Sequence, residues 1–283
     1  MEFAVISDIH GNYKAFEAFL EYIKGLPLDG IICLGDYVTD SPYPERIMKL
    51  LYGMMQKYTC YMVRGNREQY LIDNFYESKK FHPSSATGAL YYTALHLSEK
   101  DIHFFESLPV STKLSLSGCP DTMICHGAPD NLRGNLFEDP ELKKDILRNL
   151  EQEFLFGGHS HNQEVHIQYN KTYLNPGAIG LSIDGVGRQA QFALVHTELK
   201  DNKVTYAMEL KSIPYDVDSF LQDFTASGLD ECGMILNKAI KKTLVTGVNF
   251  FYKMIVEVQK ITGKPAAQVS ESIWQQAADN LQI

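Results

Sequence analysis

The sequence predicts an α/β (α+β) protein with a parallel or mixed β-sheet and helices on its faces. Three observations carry that expectation. Short β-rich apolar runs alternate with helical patterns through the first half, the order expected of βαβ units. Several of these runs end in a glycine-containing turn that presents Asp, His or Asn. The tail from about Val217 to Ile283 is helical in pattern and carries no such turn.

Each element follows from a local signal. Phe3–Ile6 (FAVI) reads as a buried strand. Tyr13–Lys24 places Phe16, Phe19, Leu20 and Ile23 on one helix face. Gly30–Leu34 (GIICL) is a second strand, and a helix begins near Pro44, whose missing N–H is harmless in a first turn. Thr59–Val63 (TCYMV) is a third strand. From Glu68 to about Leu108 the pattern is mainly helical, and Ser98 with Asp101 caps a short helix that stops before Pro109. Val110–Ser117 and Asp121–Cys125 read as a hairpin. A helix over Pro140–Leu150 and a strand over Phe154–Phe156 come next. Val165–Tyr169, Thr172–Leu174, Gln191–Thr197 and Lys203–Leu210 follow at the spacing of an antiparallel meander. Gly228, Gly247 and Gly263–Pro265 break the tail, which is expected to pack on the main domain because no low-complexity linker precedes it.

With 283 residues the chain allows one large domain or one domain with an appendage. The formal net charge of −9 gives no general electrostatic grip on nucleic acid or anionic lipid. Cys33, Cys60, Cys119, Cys125 and Cys232 are scattered without a CxxC pair, as in a protein with reduced thiols. The N-terminal MEFAVISDIHGN has no basic leader pattern, and no apolar stretch approaches the ~20 residues of a membrane span. These features predict a soluble, cytoplasmic protein. Oligomeric state is left open.

The chemistry lies in five segments: SDIHG with Asp8 and His10, GDY with Asp36, GNRE with Asn66, CHGA with His126, and GHSH with His159 and His161. Singly, each is an ordinary turn. Together they share one context, a strand followed by a glycine turn, and loops at the carboxyl ends of strands gather at one sheet edge. Oxygen and imidazole ligands without cysteine suit Mn, Fe, Zn, Co or Ni rather than a structural zinc site. Seven side chains exceed the needs of one tetrahedral ion and fit two ions that share a carboxylate.

The order DxH, GD, GN, H, GHxH resembles the calcineurin-like metallophosphoesterase superfamily, and YLNPGAIG (Tyr173–Gly180) is similar to a turn of its small bacterial and archaeal phosphodiesterase branch. The resemblance implies a two-layered mixed β-sheet sandwich flanked by helices. It implies a metallophosphoesterase domain over 1–212 with a helical insertion at about 68–108, and leaves 213–283 as a helical C-terminal extension. It also implies two divalent transition-metal ions, manganese foremost. The first would take Asp8, His10, His161 and the shared Asp36; the second would take Asp36, Asn66, His126 and His159. A metal-activated hydroxide would then attack a small phosphoester substrate. Within that class, phosphodiester or nucleotide hydrolysis stands ahead of phosphoprotein or dinucleoside polyphosphate hydrolysis, and a catalytically weak metal-binding scaffold is the other class.

One position departs from the pattern. Many members carry histidine after the asparagine, and that histidine is thought to assist the leaving group; here it is Arg67. With Asp36 and Asn66, Arg67 completes the expected catalytic set. An arginine binds phosphate through its fork but is a poor proton donor, so esters with good leaving groups or diesters are expected. Other proton sources in the insertion are His82, His96 and His103. Its tyrosines Tyr70, Tyr76, Tyr91 and Tyr92 are candidates for stacking on a base. The competing role for Arg67 is an ion pair with Glu68 or Asp40.

Overall fold

A computed structural model describes residues 1–75, 81–201 and 203–283. The chain opens with β1 (Glu2–Ile6), α1 (Tyr13–Ile23), β2 (Gly30–Cys33), α2 (Pro44–Lys57) and β3 (Cys60–Met62). β1 and β2 pair in parallel with Ile6 opposite Cys33, and β2 and β3 with Cys33 opposite Met62. The insertion holds α3 (Asn66–Asn74), α4 (Gly88–His96) and α5 (Glu99–Ser107). The predicted cap is present, since Ser98 and Asp101 bond each other's backbone N–H at the start of α5.

A second sheet follows: β4 (Ser111–Leu114), β5 (Thr122–Cys125), α6 (Pro140–Asn149), β6 (Phe154–Phe156), β7 (Gln163–Gln168) and β8 (Lys171–Pro176). β9 (Gln189–Lys200) and β10 (Lys203–Pro214) then return to the first sheet. The strand orders are β10-β9-β1-β2-β3 and β4-β5-β6-β8-β7. The expected hairpin of β4 and β5 is antiparallel, with Ser111 opposite Cys125.

The expected meander does not form as one sheet. β7 and β8 make an antiparallel hairpin, as do β9 and β10, but the two hairpins lie in different sheets. Both edges of β8 are taken, one by β7 and the other by β6 in parallel. β9 therefore finds its partner at the free edge of β1, with Val5 opposite Ala193.

Period-two alternation explains the layers. Phe3, Val5, Ile32 and Leu34 face the second sheet and meet Ile124, Phe154, Phe156 and Leu174. Ala4, Ile6, Ile31 and Cys33 face the helices, among Phe16, Phe19, Leu51 and Phe105. The first two strands read as continuous apolar runs because both of their faces are covered. The second sheet has its own outer core, where Leu155 and Tyr173 pack with Leu147 of α6.

After β10 come α7 (Val217–Ala226), α8 (Leu229–Thr246), α9 (Phe250–Thr262) and α10 (Glu271–Asn280). Phe220, Phe224, Ile240 and Leu244 join the helix-side core of the first sheet. α8 to α10 also close a small core around the fully buried Trp274. Among the described residues no helix is long and apolar enough to cross a membrane, and all five cysteines are free.

The segment after β8 is drawn tightly against the end of β1. Ile179 donates to the Ser7 carbonyl at 3.0 Å and Gly180 to the Asp8 carbonyl at 2.9 Å. A Cβ on Gly180 would stand 1.7 Å from the Ile9 carbonyl oxygen, so only glycine fits. Gly180→Ala is expected to destabilise the fold by about 1–3 kcal/mol, read as a lower urea midpoint at unchanged slope. An unchanged midpoint would show that the two segments do not approach this closely.

Candidate metal centre

Five turns meet at one edge of the sandwich, each leaving the carboxyl end of a strand. Asp8 and His10 follow β1, Asp36 follows β2, Asn66 follows β3, His126 follows β5, and His159 and His161 follow β6. The first two turns are zipped by backbone bonds, with the Asp8 N–H donating to Gly35 at 3.0 Å and the His10 N–H to Asp36 at 2.9 Å. The turns after β5 and β6 are joined likewise, Gly158 N–H donating to the His126 carbonyl at 2.7 Å. Two glycines permit the crowding. A Cβ on Gly65 would lie 2.1 Å from Asp36 Oδ1, and one on Gly158 would lie 1.9 Å from Ser7 Oγ.

Backbone strain is concentrated in these side chains. Asp8, His10, Asp36, His159 and His161 have φ between 47° and 65°, in the left-handed region that L-residues other than Asn, Asp and His rarely enter. Thr39, a β-branched residue in the same turn as Asp36, has φ 83°. Strain of this kind persists only where the surroundings hold it in place. Glu68 is one such brace: its fully buried carboxylate accepts from the backbone N–H of Gly65 at 2.8 Å, Asp36 at 2.9 Å and Tyr37 at 2.8 Å.

Three imidazoles are oriented from behind. His126 Nδ1 donates to the Leu34 carbonyl at 2.8 Å and His161 Nδ1 to the Leu181 carbonyl at 2.7 Å. His10 Nδ1 donates to Asp40 Oδ2 at 3.1 Å. In each, Nε2 is the nitrogen turned inward, the arrangement that carbonyl and carboxylate partners impose on metal-binding histidines. His10 Nε2 and His161 Nε2 stand 3.1 Å apart. Asp8 Oδ1 lies 3.2 Å from the second and 3.6 Å from the first, buried with no hydrogen-bond partner. On the other side His126 Nε2 is 3.1 Å from Asn66 Oδ1 and 3.4 Å from Asp36 Oδ2. Acceptors facing one another in a buried place require a positive charge between them.

Two groups have the geometry to hold a cation: Asp8, His10 and His161, and Asp8, Asp36 and His126, each with ligand atoms within 4.8 Å of one another. Asp36 Oδ2 also reaches to 3.8 Å from His10 Nε2, which puts it between the two groups. Asn66 joins the second through its carbonyl oxygen. His159 borders them: its backbone N–H donates to Asp8 Oδ2 at 3.0 Å, and its ring stands 5.1 Å from that of His126.

The electrostatics match. Burial works against a charge on His10, but the Asp40 and Asp8 carboxylates overcome it and raise its pKa to about 10. Burial likewise opposes a charge on His126, which Asp36 raises to about 9. Burial would raise Asp8 and Asp36, yet the neighbouring imidazoles hold both well below the usual carboxylate range. His159 goes the other way, to about 4, through burial and the charge on His126. Burial and the Asp36 charge lift Glu68 to about 7.

Arg67 lies on the rim of a cleft of about 210 Å³ that opens over these groups. Its backbone N–H donates to Asp36 Oδ1 at 2.8 Å, and its Nη2 meets Asp40 Oδ2 at 2.9 Å. Of its two candidate ion-pair partners, Asp40 is the one engaged. His82, His96 and His103 do not line the cleft and are exposed. Tyr70 lies beneath Arg133, Tyr92 is buried and Tyr91 half-buried, none of them on the cleft; Tyr76 is outside the described residues. The aromatic rings on the cleft are instead Phe251 and Tyr252 from the tail, with Asn249, Leu181 and Ile183 beside them. No sequence signal marked that segment, whereas Glu68 was visible as the acid three residues beyond Gly65.

The model for the calcineurin-like phosphoesterase superfamily domain matches residues 1–200. An uncharacterised protein of Methanocaldococcus jannaschii is 26% identical over 243 residues, which cover 81% of this chain and 93% of that one. A metallophosphoesterase from Sphaerobacter thermophilus superposes with a TM-score of 0.67 at 22% identity, over 88% of this chain and all (100%) of its own. A hypothetical protein from Pyrococcus horikoshii OT3 does so with a TM-score of 0.71 at 21% identity, over 87% and 98%. The last two share the fold.

Protons on His10 and His126 occupy places where a cation would bind, so metal and proton compete. With pKa values raised to about 10 and about 9, both rings hold their second proton at pH 7.5. Metal loading at that pH is expected to release about two protons per chain, and affinity should fall as pH drops. Calorimetry in buffers of different ionisation enthalpy measures this; loading without proton release would contradict the arrangement.

Proposed function

The chain belongs to the calcineurin-like phosphoesterase superfamily, and on that premise we propose that it is a dinuclear metal-dependent phosphoesterase acting on small phosphodiesters or activated monoesters. The observation that carries this reading is the convergence of three inward Nε2 atoms on Asp8, Asp36 and Asn66 oxygens, with a buried Asp8 oxygen among them that has no hydrogen-bond partner. That donor set suits divalent transition metals; the family resemblance puts manganese first, with Fe, Zn, Ni or Co as alternatives. In this reading Asp8, His10, His161 and Asp36 hold one ion, and Asp36, Asn66, His126 and His159 hold the other. Such a pair, when bound, would supply a coordinated water of lowered pKa and positive charge to offset that of a phosphoryl group.

The chain's own residues set the rest. The carbonyls of Leu34 and Leu181 and the Asp40 carboxylate fix three imidazole tautomers, so little reorganisation is needed when a charged substrate enters. Asp36 is held from both sides, by the Arg67 N–H on Oδ1 and by Glu68 on its own backbone N–H, which suits a carboxylate shared between two ions. Arg67 presents a permanent cation at the rim. Paired with Asp40, it orients phosphoryl oxygens and leaves the leaving group to depart without a proton from this side chain.

Apo-protein supplied separately with Mn, Fe, Zn, Ni and Co is expected to hydrolyse aryl phosphodiesters with at least one of them. No turnover across a broad ester panel would reject the reading. Changes behind metal ligands already cost 10–100-fold in comparable sites, so Asp36→Asn is expected to lose more than about 100-fold in kcat/KM together with bound metal. Arg67→His should flatten the dependence of rate on leaving-group pKa. Equal slopes in wild type and variant would remove Arg67 from the reacting end.

A further inference from the structure

Part of the wall of the cleft comes from the tail. Asn249, Phe251 and Tyr252 line it from the start of α9, beside Leu181 and Ile183 from the segment that follows β8. Nothing about this wall is loose. The Gly185 N–H donates to the Gly247 carbonyl at 2.9 Å and the Arg188 N–H to Leu244 at 2.9 Å. A Cβ on Gly187 would stand 2.4 Å from the Val245 carbonyl oxygen, so the two backbones touch. Beyond that contact Asn249 caps α9 by accepting from the Tyr252 N–H at 2.9 Å. The same short segment that leaves Leu181, whose carbonyl orients His161, therefore also anchors the aromatic pair. The wall and the metal-facing imidazole are held in register.

The chemistry of this wall selects a particular end of a substrate. Phe251 sits under the Arg67 guanidinium, 5.5 Å from ring centroid to Cζ. Tyr252 is 49% exposed. Leu181 and Ile183 add aliphatic surface. Among the described lining residues Arg67 is the one permanent cation, already paired with Asp40, and the acidic Glu138 lines the same cleft. A second phosphate beyond the reacting one would find no fixed positive partner and would meet Glu138. A flat uncharged group would find two rings and two aliphatic side chains.

Resting on the phosphoesterase reading for its reacting end, we infer that Asn249–Tyr252 of the C-terminal helices is a specificity wall that selects phosphoesters bearing a planar aromatic or heteroaromatic substituent. Aromatic side chains favour such groups by stacking or edge contact beyond simple area burial. Tyr252 is the main contact. Phe251 is a positioning residue for the Arg67 fork as well as part of the wall.

Binding separates this inference from turnover. Full-length, metal-loaded protein is titrated calorimetrically with phenylphosphonate and with methylphosphonate, neither of which has an ester to hydrolyse. Wild type is expected to bind the phenyl compound about tenfold more tightly. Tyr252→Ala, at an exposed position that does not endanger folding, is expected to reduce that preference to within about twofold and leave methylphosphonate affinity unchanged. Phe251→Leu should reduce it partly. For aryl esters the Tyr252→Ala change should appear in KM with little effect on kcat. Equal affinity of wild type for the two phosphonates, or no binding of either, overturns the wall. A phenyl preference that depends on Tyr252 in a protein that hydrolyses no ester would retain the wall and reject the phosphoesterase reading.

Discussion

The structure is organised around buried acceptors that face one another. Two imidazole nitrogens 3.1 Å apart, with a partnerless Asp8 oxygen beside them, need a proton or a cation held among them. Everything near them works to keep them there. Five of the seven side chains are delivered on left-handed backbone, at a cost of about 1–3 kcal/mol for each strained residue. Glu68 ties three N–H groups from two turns to one carboxylate, and backbone bonds join the turns after β1 and β2. The apolar layers on both faces of β1 and β2 supply the stability that such an arrangement consumes. A sandwich with one covered edge of converging loops is a means of holding charge acceptors closer than they would choose.

Much of this was legible in the sequence, for identifiable physical reasons. Continuous apolar runs such as FAVI and GIICL announce strands covered on both faces, and the structure covers both faces of each. Glycine turns after those runs announced which side chains would gather. The spacing of the later strands misled, because spacing records which strands can form hairpins and not which edge is free. β8 had no free edge, and β9 crossed to β1. The left-handed φ values left no trace in the sequence beyond the residue types that tolerate them.

Arg67 shows how a single departure from a pattern is absorbed. A histidine at that position would be a proton donor of adjustable pKa. An arginine brings a permanent charge, and the fold answers it with the buried Asp40, which also accepts hydrogen bonds from His10 Nδ1 and the Thr39 hydroxyl. One carboxylate oxygen thus serves three donors. The pairing draws Asp40 below the usual carboxylate range despite its burial, and it places the guanidinium between the ligand cluster and the ring of Phe251. The cleft cation and an inward-facing imidazole therefore share an anchor, and neither can be altered without disturbing the other.

The tail explains why the cleft could not be read from motifs alone. Aromatic residues in a helical tail are indistinguishable by sequence from core residues, and half of those in α7 to α10 are core: Phe220, Phe224 and Trp274 are fully buried. What distinguishes Tyr252 is where α9 begins, and that is set by Gly247 pressing against Asp184 and Gly187. Candidate ligands spread over positions 8 to 161 and wall residues near 250 belong to different stretches of chain. In the proposed reading, substitution in the wall can therefore change which ester is accepted without moving an inward Nε2, provided the Leu181 carbonyl that orients His161 stays in place. The chemistry and the selectivity of this site meet at that one backbone segment.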